Sequence, residues 1–236
     1  MRQVVKNVKI IGTGSYIPET IYTNQYLETI IPTNDAWIRE NLGIKERHIV
    51  ADNETTSDLA AQAAIRAVQD ARLTVDDIDL IIVATATPDR KAPSTAAIVQ
   101  DKIKAYNAAA FDISAVCSGF LFAMSVGSQY IASGVYNHVL VIGADTFYRI
   151  IDWERRDAVF FGDGAGAAVL SAANVTEGFL AYRLYTDSSN KKFGFTVPAG
   201  GSEMPINEEA LAKRLQYFQM DGRAVFDSAV SVLPKA

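Results

Sequence analysis

The stretch "FDISAVCSGFLFAMSVGSQYIASG", residues 111–134, decides the fold. Its first residues form a strand-like apolar run, and from Ser118 onward it has the length and composition of a helix. At the junction sits Cys117, the only cysteine among 236 residues. A lone cysteine is most often a small buried hydrophobe. The junction supports a second reading. At or just before a helix's first turn, unpaired backbone N–H groups and the positive end of the helix dipole favour a thiolate. The same N–H groups can hold the oxyanion of a thioester under attack. Ser118-Gly119 would let a substrate approach the backbone closely. Strand, elbow, nucleophile and helix recur in covalent catalysis without naming a reaction.

Working outward, runs rich in Val and Ile predict strands at about 4–13, 78–86, 109–115, 138–145, 165–172 and 178–187. Helical stretches lie at 56–72, 94–105 and 118–133, the first entered through a capping box formed by Thr55 and Asp58. The runs near 80, 111 and 140 are almost continuously apolar, as in strands buried on both faces by helices. Strand–helix–strand alternation then implies a layered α/β fold with right-handed crossovers. After about residue 174 the character changes. Residues 187–205 read as a long loop, and Val225, Phe226, Ala229, Val230 and Leu233 recur on one face of a final helix that needs something to bury it.

Composition narrows the function classes. Hydrophobic residues make up 49% and charged residues 21%, an ordinary globular balance, and a net charge of −5 argues against nucleic acid as a partner. One cysteine rules out an internal disulfide framework and fits a reducing cytoplasm. No apolar run is long enough to span a membrane, and the N-terminus does not read as a signal peptide. His48 and His138 show no metal-ligand spacing, so no metal is expected, and the absence of a G-x-S-x-G elbow sets aside a self-contained serine hydrolase. The run "FGDGAGAAVL", 161–170, is followed by strand-like sequence, so close chain packing explains it better than a phosphate loop. Trp37 reads either as core or as a platform on which an adenine stacks. Arg155 and Arg156 read either as a solvated pair or as a clamp on a phosphate or base.

Five motifs in order, "IIGTGSYIPE" (10–19), "TNDAWIRENLGIKERHI" (33–49), "AFDISAVCSGF" (110–120), "FGDGAGAAVL" (161–170) and "MDGRAVF" (220–226), resemble β-ketoacyl-acyl carrier protein synthase III. The resemblance implies a thiolase-like layered α-β-α fold, with residues 1–173 as the half carrying the nucleophile and 174–236 as the opening of a second half. It implies that Cys117 accepts an acyl group from acyl-CoA, which is then condensed with malonyl-acyl carrier protein with loss of CO2. CoA is a substrate, and no cofactor is implied. Trp37 matches the residue stacking on the CoA adenine, Arg155 or Arg156 its arginine partner, and Thr33, Gly222 and Phe226 the tunnel for CoA and pantetheine. The family is homodimeric, and its acidic carrier protein needs a basic patch, for which Lys191, Lys192, Lys213, Arg214 and Arg223 are candidates.

Three departures matter. Asn41 stands where the family often has a basic residue, which weakens the grip on CoA phosphates. Ala92 stands where acetyl-specific members carry a bulky aromatic reaching the partner's acyl pocket, which predicts room for longer primers. The His and Asn that complete the family's Cys–His–Asn site belong to motifs these residues do not resemble. The expectation is therefore a fragment of a longer enzyme with impaired condensation. A non-catalytic acyl- or CoA-binding subunit that pairs with another chain is the alternative.

Overall fold

The computed structural model describes residues 7–174, 176–186 and 194–232. In chain order its strands are β1 (Asn7–Tyr16), β2 (Thr20–Thr23), β3 (Glu46–Ile49), β4 (Leu80–Ala84), β5 (Ala109–Ile113), β6 (His138–Asp145), β7 (Gly164–Ala173), β8 (Phe195–Thr196) and β9 (Gln219–Met220). Its helices are α1 (Asn24–Glu28), α2 (Asp35–Leu42), α3 (Thr56–Asp70), α4 (Thr95–Ile103), α5 (Gly119–Ala132), α6 (Glu208–Ala212) and α7 (Gly222–Val232).

The chain divides into two compact units, each built from several segments. The first comprises Met1–Ile21, Arg47–Thr146 and Gly162–Leu184, and the second Tyr22–Glu46, Phe147–Phe161 and Tyr185–Ala236.

In the first unit a five-stranded sheet has the order β1-β7-β6-β4-β5. β4 runs parallel to both β5 and β6, whereas β7 is antiparallel to β6 and to β1. All five residues of β4 are buried, as its continuous apolar run requires. The pleat sends Leu80, Ile82, Val139, Val141 and Leu170 to one face, where they pack with Ala123 and Ile131 of α5. The alternate residues, among them Ile81, Val83, Leu140 and Ile142, are also buried, and α3 packs on β1, β7 and β6. Helices therefore cover the sheet on both faces, giving three layers. At the entrance to α3, the Thr55 N–H donates to Asp58 Oδ2 at 2.9 Å.

Two glycines fix how closely β1 meets α3. A Cβ on Gly12 would lie 2.4 Å from Ala71 N, and one on Gly14 would lie 2.3 Å from Ala63 O. The Ala-rich face of α3 is the other half of this contact, because only small side chains let strand and helix backbones come so near. Gly12 also marks the point where the β1–β7 register shifts.

The run 178–187 does not form the expected strand over its described residues, 178–186. Gly178 turns the chain at φ +110°, and the Phe179 N–H donates to Val8 O at 2.9 Å. No ladder follows among the described residues, and Leu180 is fully exposed. An alternating apolar pattern makes a strand only where a neighbouring strand accepts its hydrogen bonds. The predicted final helix is present as α7, with Leu233 outside the described residues, and none of its residues is buried.

The second unit is held by rings and side-chain caps. Phe147 stacks on Phe161 with centroids 4.8 Å apart, and Phe218 meets Phe161 edge-on at 5.0 Å. The buried Asp152 accepts from Arg214, whose guanidinium holds that carboxyl below the usual aspartate range. The Asn24 amide joins α1 to α2 by donating to Asp35 Oδ1 at 2.8 Å and to Ile44 O at 2.9 Å.

Gly12→Ala and Gly14→Ala should each destabilise the protein by about 1–3 kcal/mol, because backbone rather than a flexible side-chain end opposes the new methyl. Chemical denaturation measures this. Gly43, whose Cβ would meet nothing, marks a helix end where the cost of alanine comes from φ +69° alone.

Candidate active site

Between β5 and α5 the chain reverses through a single 3-10 turn, Val116–Ser118, with Cys117 at its centre. Val116 sits at φ +47°, in the left-handed region that a β-branched residue seldom enters. Holding it there costs on the order of 1–3 kcal/mol, which the packing on both sides must offset. Gly119, the first residue of α5, comes so close to β4 that a Cβ on it would lie 3.1 Å from Ala84 Cβ. Phe120 lies over Gly143, where a Cβ would be 3.2 Å from the ring. These two contacts press the start of α5 onto the ends of β4 and β6 and leave Cys117 exposed.

The thiol borders a cavity of about 240 Å³ whose walls include Val116, Phe120, Gly143, Asp145, Gly164 and Gly166. Ser118, the residue before α5, makes no side-chain cap. The Gly119 N–H donates to Val116 O, and no Ser118 side-chain cap competes with a group bound at Cys117 for the N–H groups that follow.

Asp145, at the end of β6, is a wall residue that sequence reasoning missed. Its Oδ1 accepts from the Ala86 N–H at 2.8 Å, the Thr87 hydroxyl at 2.9 Å and the Thr85 hydroxyl at 3.2 Å. Thr87 in turn accepts from the Thr146 N–H at 2.8 Å, and Thr56 donates to Thr87 O at 2.6 Å. This buried network joins the loop after β4 to the end of β6. Burial pushes the Asp145 carboxyl above the ordinary aspartate range, and its three donors oppose that only in part. The signal in the sequence was a polar residue ending an apolar strand, followed by Thr146 and preceded in space by "TAT" at 85–87.

Both histidines are anchored elsewhere. His48 Nδ1 donates to Pro18 O at 2.6 Å, and His138 Nδ1 to Asp77 O at 3.0 Å. Neither lines the Cys117 cavity. Among the described residues no cluster of His, Cys, Asp and Glu is arranged to hold a metal ion. The run 161–170 enters β7 rather than a helix, and Asp163 before it accepts from the Val50 N–H at 2.8 Å. Ala92 lies in an exposed loop and does not line this cavity.

The second unit has a cavity of its own, about 400 Å³, lined by Trp37, Arg155, Arg156, Phe160, Met220 and Gly222, with Asp157 at its edge. Asn34 caps α2 by accepting from the Trp37 N–H at 2.8 Å, and this presents the half-buried indole. The Arg156 guanidinium lies 4.0 Å from the centre of that ring. Arg155 is instead engaged with Asp157, its Nη2 2.9 Å from Oδ2. The geometry therefore separates two arginines that sequence reasoning left equivalent. Thr33 Oγ1 is buried with no hydrogen-bond partner among the described residues, and Asn41 turns back to donate to Trp37 O at 2.9 Å. Phe226 is 67% exposed on α7 and stays outside this cavity. Of the basic residues proposed for a carrier protein, Lys213 pairs with Glu209 and Arg214 with Asp152, while Arg223 is 3.7 Å from Asp227. Lys191 and Lys192 lie outside the described residues.

Comparison with known proteins adds three findings. Residues 111–188 match the family model of 3-oxoacyl-[acyl-carrier-protein (ACP)] synthase III. A β-ketoacyl-[acyl-carrier-protein] synthase III of Caldanaerobacter subterraneus subsp. tengcongensis is 49% identical over 228 residues, covering 96% of this chain and 69% of the relative. The crystal structure of 3-oxoacyl-[acyl-carrier-protein] synthase III from Aquifex aeolicus VF5 superposes with a TM-score of 0.83 at 41% identity, covering 94% of this chain and 67% of that one.

Asp145 sets a pH-dependent test. A carboxyl whose folded value is raised favours the folded state most below the ordinary aspartate range and loses that contribution as pH rises through the folded value. Asp145→Asn keeps an acceptor at Oδ1 and removes the ionisation. Relative to wild type, its melting temperature should therefore rise between about pH 4 and about pH 7. A difference that is constant across this range would refute the burial argument.

Proposed function

We propose, for a chain that belongs to the β-ketoacyl-[acyl-carrier-protein] synthase III family, that Cys117 is the nucleophile that takes an acyl group from acyl-CoA. The observation that carries the reading is an exposed thiol on a strained elbow at the uncapped start of α5, bordering a cavity. Sγ attacks the thioester carbonyl, and the N–H groups of the first turn stabilise the oxyanion. The carbon–sulfur bond to CoA then breaks, and CoA leaves as its thiol with the proton from Cys117. In the second half-reaction malonyl-acyl carrier protein loses CO2, and its freed carbon attacks the acyl carbonyl and releases the cysteine. This is the priming condensation of fatty acid synthesis. The resemblance assigns its enolate stabilisation to a His and an Asn outside the motifs matched here.

The nucleotide end of CoA is assigned to Trp37 and Arg156. With nothing bound, the guanidinium already lies 4.0 Å from the ring centre, so a base entering between them must move Arg156 outward. A sandwich needs roughly twice a contact distance of about 3.5 Å. The exposed side chain of Arg156 can swing to provide it. Arg155, tied to Asp157, serves as charge at the cavity edge. The resemblance assigns Thr33 to the CoA tunnel, although its buried hydroxyl lies outside the lining of this cavity. Gly222 leaves the cavity rim open, Phe226 extends the apolar surface beyond it, and Ala92 leaves room for primers longer than acetyl.

Pairing of two copies through the edge strand β5 is proposed for the assembly, with the cytoplasm as its location. An acidic carrier protein is the proposed second partner. No helix among the described residues is long and apolar enough to cross a membrane.

Incubation with acetyl- and longer acyl-CoAs should add one acyl mass to the intact protein, and Cys117→Ala should abolish the adduct. No adduct from any acyl-CoA would favour a non-catalytic CoA-binding subunit. Arg156→Ala should weaken CoA binding by about 0.5–2 kcal/mol, roughly twofold to thirtyfold, by calorimetry. Arg155→Ala should weaken it less.

A further inference from the structure

Four glycines border the Cys117 cavity, and neighbouring atoms account for them unequally. At Gly162 a Cβ would meet Arg47 Cβ at 3.0 Å and His48 O at 3.1 Å, so packing excludes a side chain. At Gly143 it would press on Phe120 at 3.2 Å. At Gly164 it would touch Tyr16 O at 3.5 Å, an ordinary contact. Gly166 differs from all three, because among the described residues nothing lies within 4 Å of its Cβ position. Nor does its backbone need glycine, since it is not among the residues with positive φ.

Gly166 lies within β7, directly opposite Gly143 in the β6–β7 register. Glycine inside a strand weakens it and often marks a place where a ligand comes close. Relative to alanine it costs roughly 0.5–1 kcal/mol of conformational entropy. Fold stability therefore favours alanine at this position, and neither sterics nor dihedral angles forbid it. What glycine leaves in return is open volume in a cavity of only about 240 Å³ that the reactive thiol also borders.

We propose that Gly166 is a specificity-determining position for the acyl group on Cys117, its missing side chain leaving room for that group's chain beyond the carbonyl. The inference rests on the acyl-transfer reading and adds to it the part of the wall that sets chain length. In hydrophobic pockets one methylene changes selection by about 10–200-fold, so the effect of a single methyl at Gly166 is large enough to be read.

The test is single-turnover acylation of the full chain, followed by intact mass, with acetyl-, butyryl-, hexanoyl- and octanoyl-CoA. Wild type is compared with Gly166→Ala and with Gly166→Ser, a second small side chain of different polarity. The hexanoyl-to-acetyl rate ratio should fall by about tenfold or more in both variants. The melting temperature of Gly166→Ala should equal or exceed that of wild type. A wild-type adduct with an unchanged chain-length ratio in both variants overturns this inference alone. A lower melting temperature in Gly166→Ala also overturns it, because glycine would then be required by packing. Absence of any adduct on the wild-type chain overturns the acyl-transfer reading, and this inference with it.

Discussion

The reversal between β5 and α5 is the constraint on which the site depends. A chain leaving a parallel strand must turn within a few residues and enter a helix that packs back on the same sheet. Here that turn includes Val116 at φ +47°, an unfavourable place for a β-branched residue. It persists because both sides are held. β5 is fixed by its parallel pairing with β4, and the start of α5 is pressed against Ala84 and Gly143 through Gly119 and Phe120. Loosening either contact would let the turn relax and carry Cys117 away from the cavity wall. The exposure of the thiol and the close packing beneath it have one physical origin.

The sheet supplies the other half of that arrangement. β4 and β6 run parallel and end side by side, so Ala84 and Gly143 are register partners. Beyond them, Asp145 gathers three donors from the loop after β4 onto one oxygen and fastens the two strand ends together. A buried carboxyl is a costly fastener, as the upward displacement of its proton affinity records. β7 completes the wall from the far side, with small residues wherever it faces the cavity. Gly143 opposite Gly166 gives this part of the sheet almost no side-chain bulk. The central strands are packed tightly along most of their length and opened only near the thiol.

The second unit uses a different economy. Its helices are mostly short, and beside buried aliphatics such as Leu27 and Ile38 a cluster of rings, Phe147, Phe161 and Phe218, packs together. The exposed cation Arg156 finishes the stack on Trp37. Stacking and cation–π contacts tolerate movement better than a hydrogen-bonded ladder does. That suits the nucleotide-binding role proposed for this surface. Arg155 and Arg156 are neighbours with different partners: Arg155 pairs with the Asp157 carboxylate, and Arg156 lies over the Trp37 ring.

Much of this was legible in the sequence where the cause is local. The apolar runs at 80, 111 and 140 marked β4, β5 and β6, Thr55 and Asp58 marked the start of α3, and the change of pattern at Cys117 marked the elbow. The run 178–187 misled, because its alternation satisfied the strand pattern while the neighbour that would complete a ladder is a property of the fold. The same reason covers the rest. Which arginine faces Trp37, how Asp145 is wired, and which cavity glycine is spared by its neighbours all depend on atoms distant in the chain. Periodicity, capping and motif order are written one residue after another, so the sequence alone determined the layered α/β architecture, the family resemblance and the place of the lone cysteine at a strand-to-helix junction. Contacts between residues such as Gly119 and Ala84, or Gly143 and Gly166, exist only once the sheet has formed, so the tertiary structure alone decided the shape of the site.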